Sequence, residues 1–207
     1  ALAICLMAIP MIATPVQAAD IESMSLHPSK GTVGEEVYIT GSSSDDSRYW
    51  VYYQLDTDDW VQVLDYRDFD FDTISLGEYD YETDKFEIPE SCSGKHEIAI
   101  CDKDLDDDVD DDDDIEEHEE RSKEFTVEPK VEIIEIAGKD IDDPEDAKGS
   151  TGTEVKVKGT GFDENEKGIE IWFDGDVVSE EKFKADDYGT WEGTFLVPTT
   201  SKGDHDV

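Results

Sequence analysis

The chain repeats itself, and that constrains its fold more than any other feature. Gly31-Thr32-Val33-Gly34-Glu35-Glu36-Val37-Tyr38-Ile39-Thr40-Gly41 aligns without a gap on Gly149-Ser150-Thr151-Gly152-Thr153-Glu154-Val155-Lys156-Val157-Lys158-Gly159, with five identical positions. A second match follows in the same order: Phe86-Glu87-Ile88-Pro89, then Gly94, His96 and Ile98, against Phe195-Leu196-Val197-Pro198, Gly203, His205 and Val207. Agreement in both order and local spacing means that one plan is used twice. The 207 residues therefore divide into two small domains rather than forming one large enzyme core.

The local patterns say what the plan is. Val37 and Ile39, like Val155 and Val157, alternate with polar residues, which predicts a strand with one buried face. The glycines on either side read as turn positions. Phe86 and Ile88, or Phe195 and Val197, predict another half-buried strand that a proline ends. Ile169, Ile171 and Phe173 alternate with Glu170 and Trp172 ahead of an Asp174-Gly175 hairpin turn, and Asp187-Tyr188-Gly189 marks a turn before Trp191. The first copy runs differently there, with Tyr49 to Leu55 and Trp60 to Leu64 flanking Thr57-Asp58-Asp59, then extra residues through Tyr81. Capped helical periodicity is missing, so the chain reads as all-β, two tandem β-sandwiches. Val127, Pro129 and Val131 crowd the boundary, predicting a short linker with limited freedom between residues 19–128 and 129–207.

Residues 1–18 carry no charge, and the apolar run from Leu2 to Ile12 gives way to small residues up to Ala18. This reads as a signal peptide with a truncated n-region, too short to span a bilayer comfortably, and predicts an exported protein, extracellular or at the cell surface. Cys92 and Cys101 are the cysteines left after cleavage, and their separation along the extended chain predicts two unpaired thiols. With 57 acidic against 17 basic residues and a formal charge of -40, nucleic acid and anionic membranes are excluded as partners of the mature domains, since both need a basic face.

The Gly-x-x-Gly-x-Glu-Val-x-Val-x-Gly-x-Gly-Phe run from Gly149 to Phe162, followed by Ile171-Trp172-Phe173-Asp174-Gly175, Ala185-Asp186, Gly189, Trp191, Phe195 to Pro198 and Gly203-x-His205, resembles the IPT/TIG family of immunoglobulin-like domains found in tandem on prokaryotic surface proteins. The likeness spans nearly all of residues 131–207 and, in the first copy, the two end blocks. It implies early-set immunoglobulin-like sandwiches, the second lacking its final strand, with further repeats or an anchor downstream. It also implies a spacer or binding module without catalysis: a surface stalk, or else an adhesion module for a cell-surface glycan or protein, or accessory domains of a larger extracellular enzyme.

Two candidate sites stand out. The acidic hairpin insertion at residues 102–120 places Asp102, Asp104, Asp106, Asp108 and Asp110 at alternate positions. Asp107 replaces the glycine of an EF-hand turn and Asp113 its terminal glutamate, so the segment reads either as a solvated loop or as a loop that takes calcium weakly through oxygen ligands; no other cofactor is expected. The second candidate is the aromatic excess of the first copy. Trp50, Tyr52 and Trp60, with Trp172 in the second copy, are the candidate platforms for a sugar ring or a protein partner, against the alternative that alternating rings fill the core. The histidines match no zinc or nucleophile spacing, and the ubiquity of carboxylates makes any paired-acid signal uninformative.

Overall fold

The computed structural model describes residues 20–56, 59–75, 77–105, 115, 118–141 and 147–207. The leader expected at residues 1–18 lies outside them. No described helix is long and apolar enough to cross a membrane.

The first ten strands are β1 (Ile21–His27), β2 (Lys30–Gly31), β3 (Glu36–Ser43), β4 (Trp50–Asp56), β5 (Asp59–Leu64), β6 (Phe69–Ser75), β7 (Glu78–Thr83), β8 (Phe86–Glu87), β9 (Gly94–Cys101) and β10 (Glu119–Val127). They form two sheets, β1-β3-β7-β6 with β8 also on β3, and β2-β10-β9-β4-β5. One sheet contributes Ile21, Leu26, Val37 and Ile39, the other Val51, Tyr53, Ile98 and Phe125, and all belong to one buried cluster. The sheets therefore pack face to face as a sandwich.

A further eight strands follow: β11 (Lys130–Ile136), β12 (Lys139–Asp140), β13 (Glu154–Thr160), β14 (Lys167–Ile169), β15 (Trp172–Phe173), β16 (Asp176–Val177), β17 (Phe183–Lys184) and β18 (Trp191–Leu196). They make a β12-β11-β13-β18 sheet and the ribbons β14-β17 and β15-β16 around a separate core of Ile136, Val155, Val157, Ile171, Phe173, Trp191 and Phe195. No described strand ladder joins the two groups. The first group is called here the first unit and the second the second unit.

The sequence repeat is a repeat of pairing. Val37 lies opposite Phe86 and Val155 opposite Phe195, so the two matching blocks of each copy are neighbours in one register. Gly34 N–H donates to Ile88 O at 2.9 Å and Gly152 N–H to Val197 O at 2.8 Å, both glycines at positive φ near 80°. Val37, Ile39, Val155 and Val157 all point into their cores, each burial contributing about 1.5–3 kcal/mol. The histidines match too. His96 stacks on Tyr53 and His205 on Phe173, and each Nε2 lies 2.9 Å from the carbonyl oxygen four residues earlier. Tyr53 and Phe173 are therefore equivalent, and so are their predecessors Tyr52 and Trp172.

The glycines that close the first block behave differently from the turn reading. Gly41 and Gly159 lie inside β3 and β13, opposite Tyr81 and Trp191. A Cβ on Gly41 would overlap Ser23 O and sit 2.5 Å from the Tyr81 hydroxyl; one on Gly159 would overlap the Trp191 indole and come within 2.8 Å of Phe162. They are glycines because an aromatic side chain packs directly on the backbone.

In the first unit β10 contributes Phe125 and Val127 to the sandwich. A cleft in the second unit is lined by Ile133, Val155, Phe173, Phe195, Val197 and His205.

Candidate functional site

Three regions bear on function: the outer face of the β9-β4-β5 sheet, the ends of the acidic segment, and the seam between the units.

On the outer face, Tyr52, Trp60, Ala99 and Cys101 form a second small core with Leu105 and Ile115, and Trp50 packs against it. Leu105 and Ile115, near the two ends of the acidic segment, thus lie on the aromatic face. Tyr52 anchors it: its hydroxyl accepts from Leu105 N–H at 2.7 Å and reaches Leu105 O at 3.2 Å. β4 and β9 are consequently buried on both faces, and burial pushes the Cys101 thiol up to about 12. Cys92 and Cys101 are unpaired thiols.

This cover corrects the aromatic assignment. Tyr52 is 1% and Trp60 5% exposed, so neither offers a ring face to a ligand; both are core residues of a layer that strand alternation alone does not reveal. Trp50 is half-buried. Trp172 is 51% exposed, and its cross-strand neighbour Val177 is 47% exposed, while Ile171 and Phe173 face inward. The position covered in the first unit is thus open in the second.

Of the carboxylates named for calcium, Asp106, Asp108 and Asp110 lie outside the described residues. Asp104 is exposed, and Asp102 uses one oxygen on His118 Nδ1 at 3.1 Å. Among the described residues no group of three or more His, Cys, Asp or Glu side chains is placed to hold a metal ion.

The seam is where the fold makes its densest polar contacts between units. Residues 90–93 precede β9, and the first unit pins them from below: Ser91 Oγ is 2.8 Å from the Tyr53 hydroxyl, and Cys92 O is held by His96. From this fixed loop Ser93 N–H donates to Phe162 O at 2.9 Å, Ser93 Oγ donates to Asp163, and the Cys92 thiol reaches Asp187 O at 3.1 Å. Glu90 accepts from Thr190 Oγ1 at 2.6 Å and from Lys158 Nζ at 3.1 Å. The Thr190 hydrogen bond, aided by Lys158, holds the Glu90 carboxyl below its ordinary range. Gly161, at φ +67°, lets its backbone lie against the linker, where a Cβ would come within 2.9 Å of Glu128 O. Nothing in the residue pattern of Glu90 to Ser93 marks it as an inter-unit contact. Its only signal is the short linker, which forces some loop pair to meet.

A scan against protein-family models finds no match, and a search of curated proteins finds no similar protein. The functional reading therefore rests on the chain itself.

Proposed function

We propose that this chain is a non-catalytic spacer from an exported surface protein, built from two tandem immunoglobulin-like sandwiches of the IPT/TIG kind. The observation that carries the reading is the seam: a loop held rigid by one core hydrogen-bonds to two separate loops of the next unit, at Phe162 and Asp163 and at Asp187 and Thr190. A stalk needs such a junction, because its reach depends on neighbouring modules keeping a fixed angle, whereas a flexible tether needs only a polar linker. The high negative charge suits an extended surface element that must not self-associate. Small-angle scattering of the chain tests this. A profile matching the calculated one, unchanged between low and physiological salt, is expected; a profile that only an ensemble of inter-unit angles can fit refutes the stalk.

The exposed Trp172-Val177 pair favours a second reading, an adhesion module for a cell-surface glycan or protein, responsive to calcium if the acidic segment takes it. A glycan panel that leaves tryptophan fluorescence unchanged, and millimolar calcium that leaves the melting temperature unchanged, remove its two parts.

A further inference from the structure

The outer face of the β1-β3-β7-β6 sheet carries two straight rows of polar side chains. Ser25, Thr40, Glu82 and Asp70 stand side by side in one row, and Ser23, Ser42, Asp80 and Asp72 in the next. In these rows β1 and β3 bear only hydroxyls, while β7 and β6 bear only carboxylates. Asp70 therefore faces Glu82 directly across the β6-β7 ladder, and Asp72 faces Asp80.

Like charges placed directly opposite weaken a strand pair, because their Cβ atoms stand about 4.5–5.5 Å apart. All four carboxylates are exposed and line one concavity, and no described lysine or arginine lines it with them. The second unit is built the other way. On the outer face of its β13-β18 pair Lys158 stands opposite Glu192, and Lys156 Nζ reaches the same glutamate at 2.6 Å. Among the described strands β6 is also the last of its sheet, so its hydrogen bonds to β7 are its one ladder. Its inner face opposes the repulsion: Phe69 and Phe71, both half-buried, pack on Tyr81 at ring distances of 5.8 and 6.0 Å.

We propose that β6 is an edge strand whose docking depends on ionic strength, held on β7 in salt and loosened from it when salt is removed. At about 1 M salt the Debye length is about 3 Å, shorter than the separation of the paired carboxylates; at about 0.01 M it is about 30 Å, and all four charges repel one another together. The aromatic contacts on the inner face are not screened in this way, so salt shifts the balance between the two faces. A loosened β6 withdraws Phe69 and Phe71 from the rim of the core and leaves β7 as an open edge to which another strand can pair. The inference is independent of the spacer reading, since no residue of the seam belongs to β6 or β7.

The test is hydrogen exchange of the intact chain in about 0.01 M and about 1 M sodium chloride. Amides of the β6-β7 ladder are expected to exchange about threefold or more faster at low salt, the scale of two opposed like-charge pairs. Those of β18, whose outer face carries the Lys158–Glu192 pair, are expected to exchange no faster and serve as the internal control. D70N/D72N removes one member of each pair and is expected to abolish the difference, and D72K to lessen it. Both variants keep the inner aromatic face, and melting curves in high salt establish that they fold. A β6-β7 ladder indifferent to salt, a β18 that responds equally, or a D70N/D72N protein with the wild-type salt response overturns the proposal. Greater protection by millimolar magnesium than by sodium chloride of the same ionic strength also overturns it, in favour of a bound ion.

Discussion

Replacing Gly159 by alanine tests the claim that an aromatic ring packed on bare backbone is part of the repeated plan. The added Cβ would overlap the Trp191 indole and approach Phe162 Cε2 to 2.8 Å, so the ring must move. Trp191 has little room: it stacks on Phe183 at 5.5 Å, meets Phe162 edge-on at 5.7 Å and is 5% exposed. Its indole N–H finds no hydrogen-bond acceptor among the described residues, so packing alone holds it. If the surroundings yield, the cost is that of overpacking, about 1–3 kcal/mol. If the ring is expelled, the cost approaches that of deleting a core tryptophan, about 3–5 kcal/mol. For a unit of this size, 2 kcal/mol lowers the melting temperature by roughly 8–16 °C. Calorimetry and near-ultraviolet dichroism follow the second unit's transition and the Trp191 environment. Gly152→Ala is the control: it has positive φ but nothing within 4 Å of its Cβ, so only a conformational cost of about 1–2 kcal/mol is expected. A Gly159→Ala protein as stable as wild type refutes the packing argument.

Three further outcomes are expected. Glu90→Ala removes the bonds from Thr190 and Lys158 at a cost of about 1 kcal/mol, so fluorescence energy transfer between dyes on the two units should show a broader distance distribution; an unchanged one refutes the seam's role. Leu105→Ala, costing about 2–3 kcal/mol of local cover, should speed alkylation of Cys101 by one to two orders of magnitude while Cys92 reacts as before; equal Cys101 rates in the two proteins refute the cover. The hydrogen bond between His205 and Asp174 raises the histidine's pKa and lowers the carboxyl's. The histidine's contribution is therefore complete below its ordinary value near 6.5 and fades as pH rises through its raised one, while the carboxylate's is complete above its ordinary value near 3.9 and fades as pH falls through its lowered one. An NMR titration should show the His205 midpoint falling in Asp174→Asn; a midpoint that stays put refutes the pairing.

The sequence alone determined the β class, the two-fold use of one plan, the inward faces of Val37, Ile39, Val155 and Val157, and the hairpin at Asp174-Gly175. All of these follow from alternation and turn chemistry, which act between residues close along the chain. Only the tertiary structure decided that Gly41 and Gly159 are packing glycines, that Leu105 and Ile115 bury Tyr52 and Trp60 while the equivalent Trp172 stays open, and that Glu90 to Ser93 meets Phe162, Asp163, Asp187 and Thr190. Each depends on which surfaces are brought together across long sequence separations. A pattern of polar and apolar residues specifies that a face is to be covered, but not what covers it.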